Sequence, residues 1–327
     1  MIATRSRARA MLRVARDDRA TAREDLGTTH PACDGAGWMR LADHAARLAL
    51  VTAGVRSRWI DSGQARHHVY DARGRGSSPT IVLLHGLADS AASHARLLLR
   101  LRGQARRVIA IDAAGHGLSG RPRGAYTVDH HVESITQVLD QLLDEPALLA
   151  GNSLGGATAL HYAITRPARV AALFLTSPAG APSDELTRAD LRDAFAMRRH
   201  ADARAFVTRV HHGELAALRA CALAALLRAR TRALALDELF DSADQRALEP
   251  AELRALAMPV VLIWGRSERL LPRAHLEYFR RHLPRHAVVI EADGFGHCPH
   301  LDDAPRVADL IADLAAASGR EITSTDR

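Results

Sequence analysis

Residues 147–156, Ala147-Leu148-Leu149-Ala150-Gly151-Asn152-Ser153-Leu154-Gly155-Gly156, decide how the rest of the chain is read. A short apolar run that suits a buried strand ends at a glycine, and a helical pattern starts at Leu154 and continues to 165. Between them stands G-x-S-x-G in a strand–turn–helix setting. So tight a turn holds its serine in a strained, exposed position, and small flanking residues are needed to avoid clashes. The helix start behind the serine offers free N–H groups and positive potential to a developing oxyanion. The plain alternative is a glycine-rich turn with an incidental serine. A base and an acid placed on equivalent elements separate the two readings.

Working outward, short apolar runs alternate with longer helical stretches. The runs are 80–84 (TIVLL), 107–111 (RVIAI), 147–150 (ALLA), 170–175 (VAALFL), 260–264 (VVLIW) and 287–290 (AVVI). Helical patterns lie near 91–102, 128–143, 154–165, 274–283 and 303–317. This alternation predicts an α/β fold with a mostly parallel central sheet and helices on both faces. RSRWID and RHHVYD, around Gly63, predict an added hairpin. Residues 182–254 are helical and rich in Ala, Leu and Arg, with no convincing strand. They read as a helical lid inserted between two core strands, over a site at the strand ends. The core is then 56–181 and 255–318, with 319–327 a tail. Residues 38–55 hold an amphipathic helix that packs on the body or, alternatively, rests on a membrane surface. Residues 1–37 lack an apolar period and read as a disordered extension. Translation starts at Met1 or at Met39.

Two further loops complete the chemistry. Gly294-Phe295-Gly296-His297-Cys298-Pro299 follows the last strand, and Trp264-Gly265-Arg266-Ser267-Glu268 follows the strand before it. His297 and Glu268 therefore fall at strand ends, on the edge where Ser153 sits. The chain order Ser153, Glu268, His297 is nucleophile, acid, base. Asp184, beyond the strand at 170–175, is the alternative acid. The loop His85-Gly86-Leu87-Ala88-Asp89-Ser90 follows the strand at 80–84. The backbone N–H groups of Leu87 and Leu154 are the expected oxyanion hole.

As an ordered set, these residues resemble the α/β-hydrolase superfamily over about residues 56–318. The resemblance rests on HG at 85–86, D-x-x-G-H-G-x-S at 112–119, G-N-S-L-G-G at 151–156, W-G-x-x-E-x-x-x-P at 264–272 and G-H-x-P at 296–299. It implies a serine enzyme in which Ser153 is acylated, His297 shuttles the proton and water releases the acyl group. The family usually carries Asp where Glu268 stands, and that departure keeps Asp184 in view. The Asn152–Ser153 pair is similar to the carbon–carbon bond hydrolases of aromatic-ring degradation. Those usually have a Gly-rich oxyanion loop and a Trp after the histidine, whereas this chain has HGLADS and Cys298. The expected reaction is therefore hydrolysis of a hydrophobic carboxylic ester or thioester. Carbon–carbon hydrolysis and a non-catalytic binding role are the alternatives.

Composition narrows the rest. The 44 basic residues of the 327 are all Arg, against 37 acids, for a net charge of +7. With no Lys, Schiff-base and pyridoxal-phosphate chemistry, Walker-type phosphate loops, kinases and S-x-x-K hydrolases are excluded. Residues 1–60 hold 11 Arg and 6 acids, and the remainder 33 and 31. The body is nearly balanced, so no nucleic-acid partner is expected. Cys33, Cys221 and Cys298 form neither a disulfide framework nor a zinc pattern, and reduced thiols fit a cytoplasmic protein. No apolar run reaches membrane-spanning length. Gly115-His116-Gly117-Leu118-Ser119-Gly120 matches G-x-G-x-x-G, but Pro122 and Gly124 follow where a dinucleotide fold needs a helix. His297, Cys298, His300, Asp302 and Asp303 match no usual metal spacing. No cofactor and no metal are expected. His130, His131, His211 and His212 read as surface or lid residues. The Cys298 thiol, beside the base, reads as packing with some sensitivity to alkylation.

Overall fold

A computed structural model describes residues 36–325 apart from 235, with side chains described from 41 to 319 except 232, 233, 235, 244 and 245. The disordered extension expected at 1–37 lies outside the described residues up to 35. Eight strands form one sheet: β1 (Arg56–Asp61), β2 (Arg66–Arg73), β3 (Ile81–Leu84), β4 (Arg107–Ile111), β5 (Ala147–Asn152), β6 (Val170–Thr176), β7 (Val260–Gly265) and β8 (Val288–Ala292). Their order is β1-β2-β4-β3-β5-β6-β7-β8. The β1–β2 and β2–β4 pairs are antiparallel, and every other pair is parallel.

The central strands are apolar without alternation because both faces are covered. Val82, Leu84, Leu149, Leu173 and Leu175 point into one cluster, and Ile81, Leu83, Leu148, Ala172 and Phe174 into the other. In chain order the helices are α1 (Ala36–Thr52), α2 (Ala95–Leu101), α3 (Val128–Leu142), α4 (Leu154–Thr165), α5 (Glu185–Ala196), α6 (His200–Val210), α7 (Ala217–Ala233), α8 (Leu236–Ser242), α9 (Pro250–Arg254), α10 (Arg273–His282), α11 (Pro299–Asp302) and α12 (Ala304–Thr325). Helices α3, α4, α9 and α10 cover the first face, through residues such as Leu139, Leu160, Leu253 and Phe279. Helices α1, α2 and α12 cover the second, through Leu50, Leu98 and Ile311.

Several boundaries differ from the sequence reading. α12 continues to Thr325, through the stretch read as a tail from 319, so Gly319 lies inside the helix and does not end it. α1 runs Ala36–Thr52 rather than 38–55, with Gly54 in the left-handed region at φ 86°. His131 is buried, not on the surface, and its ring is satisfied by Tyr126 Oη at 3.1 Å and Thr158 Oγ1 at 3.2 Å. His211 is buried as well, 3.2 Å from Asp302.

The segment between β6 and β7 holds α5 to α9. A buried ion pair joins it to the rest. Arg230 of α7 donates to Asp43 Oδ1 of α1 at 2.7 Å and to Ser90 Oγ at 2.9 Å, and lies 3.7 Å from Asp89 Oδ1. Arg230 and Asp43 are 7% and 3% exposed. The guanidinium fork satisfies several acceptors at once, which an ammonium does less well. Removing it leaves Asp43 buried without its counter-charge, and such breaks cost about 3–5 kcal/mol. Arg230→Met is therefore expected to lower urea stability by that amount; a loss under about 1 kcal/mol would show the pair to be incidental.

Candidate active site

The β5–α4 turn has the backbone that its sequence calls for. Ser153 sits at φ 52°, ψ −118°, a conformation costly for any residue with a Cβ. Its N–H donates to Thr176 O, and its carbonyl accepts from Ala157 and Ala179 N–H. The glycines around it are forced by space. A Cβ on Gly151 would stand 2.4 Å from Gly155 O, and one on Gly155 would stand 2.3 Å from Leu84 O. A Cβ on Gly86 would meet Ser153 Cβ and Asn152 Oδ1 at 3.2 Å, so the β3 loop lies directly against the turn.

Two imidazoles shape that loop. His85 Nδ1 donates to Gly86 O at 2.8 Å, and its Nε2 accepts from Ala113 N–H at 3.0 Å. His116 Nε2 accepts from Ala88 N–H at 3.1 Å, while its Nδ1 donates to Ala114 O at 2.9 Å. Burial holds His116 down at about 3, so it stays an acceptor at neutral pH. Asp89 N–H closes onto Gly86 O. The bonds of this turn thus use the amides on either side of the loop's apex and bypass the Leu87 N–H. Leu154 is the first residue of α4, so its N–H is one of the helix's unpaired donors.

His297 and Glu268 meet on the same strand-end edge. His297 Nδ1 is 2.8 Å from Glu268 Oε2, and both side chains are buried, at 3% and 2% exposure. The other carboxylate oxygen, Oε1, accepts the N–H groups of Leu270 and Leu271 at 2.8 and 3.0 Å. Burial alone would raise the Glu268 carboxyl, but the charge and hydrogen bond of His297 outweigh it and hold the group below its ordinary value. Asp184, the alternative acid, is not brought to the histidine. It is the exposed N-cap of α5, with its carboxylate accepting Thr187 N–H at 2.8 Å. Distance from β6 explains this, because seven residues, 177–183, separate the strand from the cap.

Sequence reasoning missed what holds the histidine loop. Asn152 Nδ2 donates to His297 O at 2.8 Å and to Thr176 O and Oγ1 at 3.1 Å. It therefore ties the residue beside Ser153 to the backbone of His297. Asp302 accepts Gly296 N–H at 2.8 Å and His212 N–H at 3.0 Å, which binds the loop to the end of α6. A polar residue next to the serine was the one available signal for Asn152. Asp302 offered none beyond its helix-capping type. Cys298 donates its thiol to Asn152 Oδ1 at 3.7 Å, and burial pushes that thiol well above its ordinary range. Thiolate is the reactive form, so the expected sensitivity to alkylation is not supported. The glycine-rich 115–120 segment is a loop, and at Gly117 a Cβ would collide with the Asp112 carboxylate at 2.1 Å. It packs on its own sheet.

Comparison with known proteins identifies the family. The α/β-hydrolase fold family matches residues 79–304, and the chain belongs to that family. It is 31% identical over 283 residues to a 2-hydroxymuconate semialdehyde hydrolase of Pseudomonas sp. strain CF600, covering 82% of this chain and 93% of that protein. It is 29% identical over 257 residues to the pimeloyl-[acyl-carrier protein] methyl ester esterase of Xanthomonas campestris pv. campestris strain B100, covering 74% and 97%. Among solved structures, a bacterial membrane phospholipase A superposes with a TM-score of 0.72 at 23% identity, covering 87% of this chain and 92% of that one. No helix among the described residues is long and apolar enough to cross a membrane.

The Glu268 carboxyl sits below its ordinary value of 4.5 in the folded chain. Its contribution to stability is therefore full above that value and is lost as pH falls through the lowered one. Between about pH 5 and pH 3 the wild type is expected to lose urea stability more steeply than Glu268→Gln. Parallel curves would mean that the carboxylate's partners do not stabilise it.

Proposed function

We propose that this chain is a serine hydrolase that cleaves a hydrophobic carboxylic ester through an acyl-enzyme on Ser153. The observation that carries the reading is the strained Ser153 backbone at the sheet edge that also bears the buried His297–Glu268 pair. Ser153 Oγ attacks the ester carbonyl while His297 Nε2 takes its proton. Glu268 fixes the ring with Nδ1–H toward the carboxylate and stabilises the imidazolium that forms. The Leu87 and Leu154 N–H groups receive the oxyanion. His297 then protonates the leaving alcohol, and water, activated by the same ring, releases the acid.

An apolar substrate follows from the walls. Leu87 packs against two clusters at once. One contains Phe195, Phe206, Leu223 and Leu227 of the inserted helices, and the other contains Leu154, Tyr126 and Leu239. The inserted helices α5 to α8 thus act as an apolar roof.

A second reading, carbon–carbon bond hydrolysis of the meta-cleavage type, is favoured by the similarity to the 2-hydroxymuconate semialdehyde hydrolase over nearly its whole length. The same three residues would serve it.

The test is labelling with a fluorophosphonate, followed by a p-nitrophenyl ester series. Ser153→Ala is expected to abolish labelling and to lower kcat by about 10⁴-fold or more, and Glu268→Gln by about 10³–10⁴-fold. Asp184→Asn, an exposed cap, is expected to change kcat by less than about twofold. Labelling at Ser153 without ester turnover, together with cleavage of a vinylogous 1,5-diketone, would move the assignment to the second reading. Absence of Ser153-dependent labelling would overturn both.

A further inference from the structure

Asp89, His94 and His300 come together in space although their spacing in the chain matches no ligand pattern. Asp89 lies on the loop after β3, two residues beyond Leu87. His94 closes a short 3-10 turn, Ala91–His94, and His300 is in α11, three residues after His297. One donor atom from each lies within 4.8 Å of the other two. Asp89 Oδ2 is 3.2 Å from His300 Nε2. The two imidazoles are buried and stacked, with centroids 4.2 Å apart and planes at 10°. The Ser93 hydroxyl touches all three groups, 2.8 Å from Asp89 Oδ2, 3.1 Å from His94 Nδ1 and 3.4 Å from His300 Nε2.

We propose that Asp89, His94 and His300 bind a divalent cation of the zinc class, with Ser93 Oγ or a water as the fourth donor. Two imidazole nitrogens and one carboxylate oxygen suit a borderline ion such as Zn²⁺ or Co²⁺, and suit Ca²⁺ or Mg²⁺ poorly. With bonds of about 2.1 Å, tetrahedral donors stand about 3.4 Å apart. The Asp89–His300 separation already fits. The His94 ring must turn out of the stack so that its lone pair converges with that of His300, and the Ser93 hydroxyl stands where a fourth donor belongs.

The surroundings favour the same ion. Arg230, 3.7 Å from Asp89 Oδ1, leaves Oδ2 to the imidazoles and orients the carboxylate as an outer partner. Two carboxylates, Asp43 and Asp89, share that one guanidinium, so the pocket has room for positive charge. The ion would not touch reacting atoms. It would clip the Leu87 loop to the His297 loop, and its presence does not depend on which bond the enzyme cleaves.

The test is titration of metal-stripped full-length protein with Co²⁺, read by its visible d–d absorption, with Zn²⁺ as competitor. Tetrahedral-type bands that saturate at one ion per chain and are displaced by Zn²⁺ are expected. His94→Gln and His300→Gln are expected to weaken binding by more than the roughly 10–100-fold that outer-partner losses cost. Absence of the bands, or unchanged affinity in both variants, would overturn the proposal. Should the variants fail to fold, anomalous scattering at the zinc edge from a wild-type crystal soaked in Zn²⁺ decides. A peak among the three side chains supports the site, and a peak elsewhere or none overturns it.

Discussion

Everything at the candidate site depends on how closely the β5–α4 turn approaches the end of β3. The carbonyls of Leu84 and His85 pass so near Gly155 that a single Cβ would overlap them. That approach aims Ser153 outward and presses the Leu87 loop against it. It also sets the start of α4 at the edge, where the helix has free amides to offer. The strain at Ser153, of order 1–3 kcal/mol for such a conformation, is carried by two packed clusters, one on each face of the sheet. A looser core would let the turn relax and withdraw the serine.

Glu268 shows how a longer side chain reaches a histidine where the family usually has aspartate. Aspartate is the usual residue at the strand-end position that Glu268 fills, and one extra methylene would push a carboxylate past its partner. Here the chain curls back, and Oε1 takes the N–H groups of Leu270 and Leu271 from its own turn. This fixes the rotamer and leaves Oε2 facing His297 Nδ1. The backbone thus absorbs the added length. The accommodation needs an N–H at both 270 and 271, and the Pro that ends this turn comes only at 272.

Much of this was legible in the chain because the signals are local. The apolar runs marked the six parallel-sheet strands to within two residues at either end, and α4 was read to its limits, since a buried parallel strand carries no polar position. Glu268 and His297 were legible as strand-end residues, because each follows its strand within a few positions. What was not legible depends on contacts between distant segments. His131 looked like a surface histidine because nothing in its neighbourhood announces Thr158 of the next helix. Asn152 read as a family mark, whereas its amide anchors a loop that lies 145 residues on. The Asp89–His94–His300 cluster is invisible to spacing rules for the same reason.

Arg230 connects these long-range features. It is one of 44 arginines in a chain without lysine, so its type carried no information. Its burial does. One guanidinium holds α1 by Asp43 and the loop beyond Leu87 by Ser90 and Asp89, from a helix that belongs to the inserted roof. Any movement of α7 that opens the roof must stretch these bonds, and the end of the Leu87 loop would feel it. The roof and the loop that would receive the oxyanion are therefore mechanically joined. The N-terminal helix belongs to that joint, since Asp43 supplies its shortest bond. A helix that seemed an accessory to the body thereby bears on the geometry of the site.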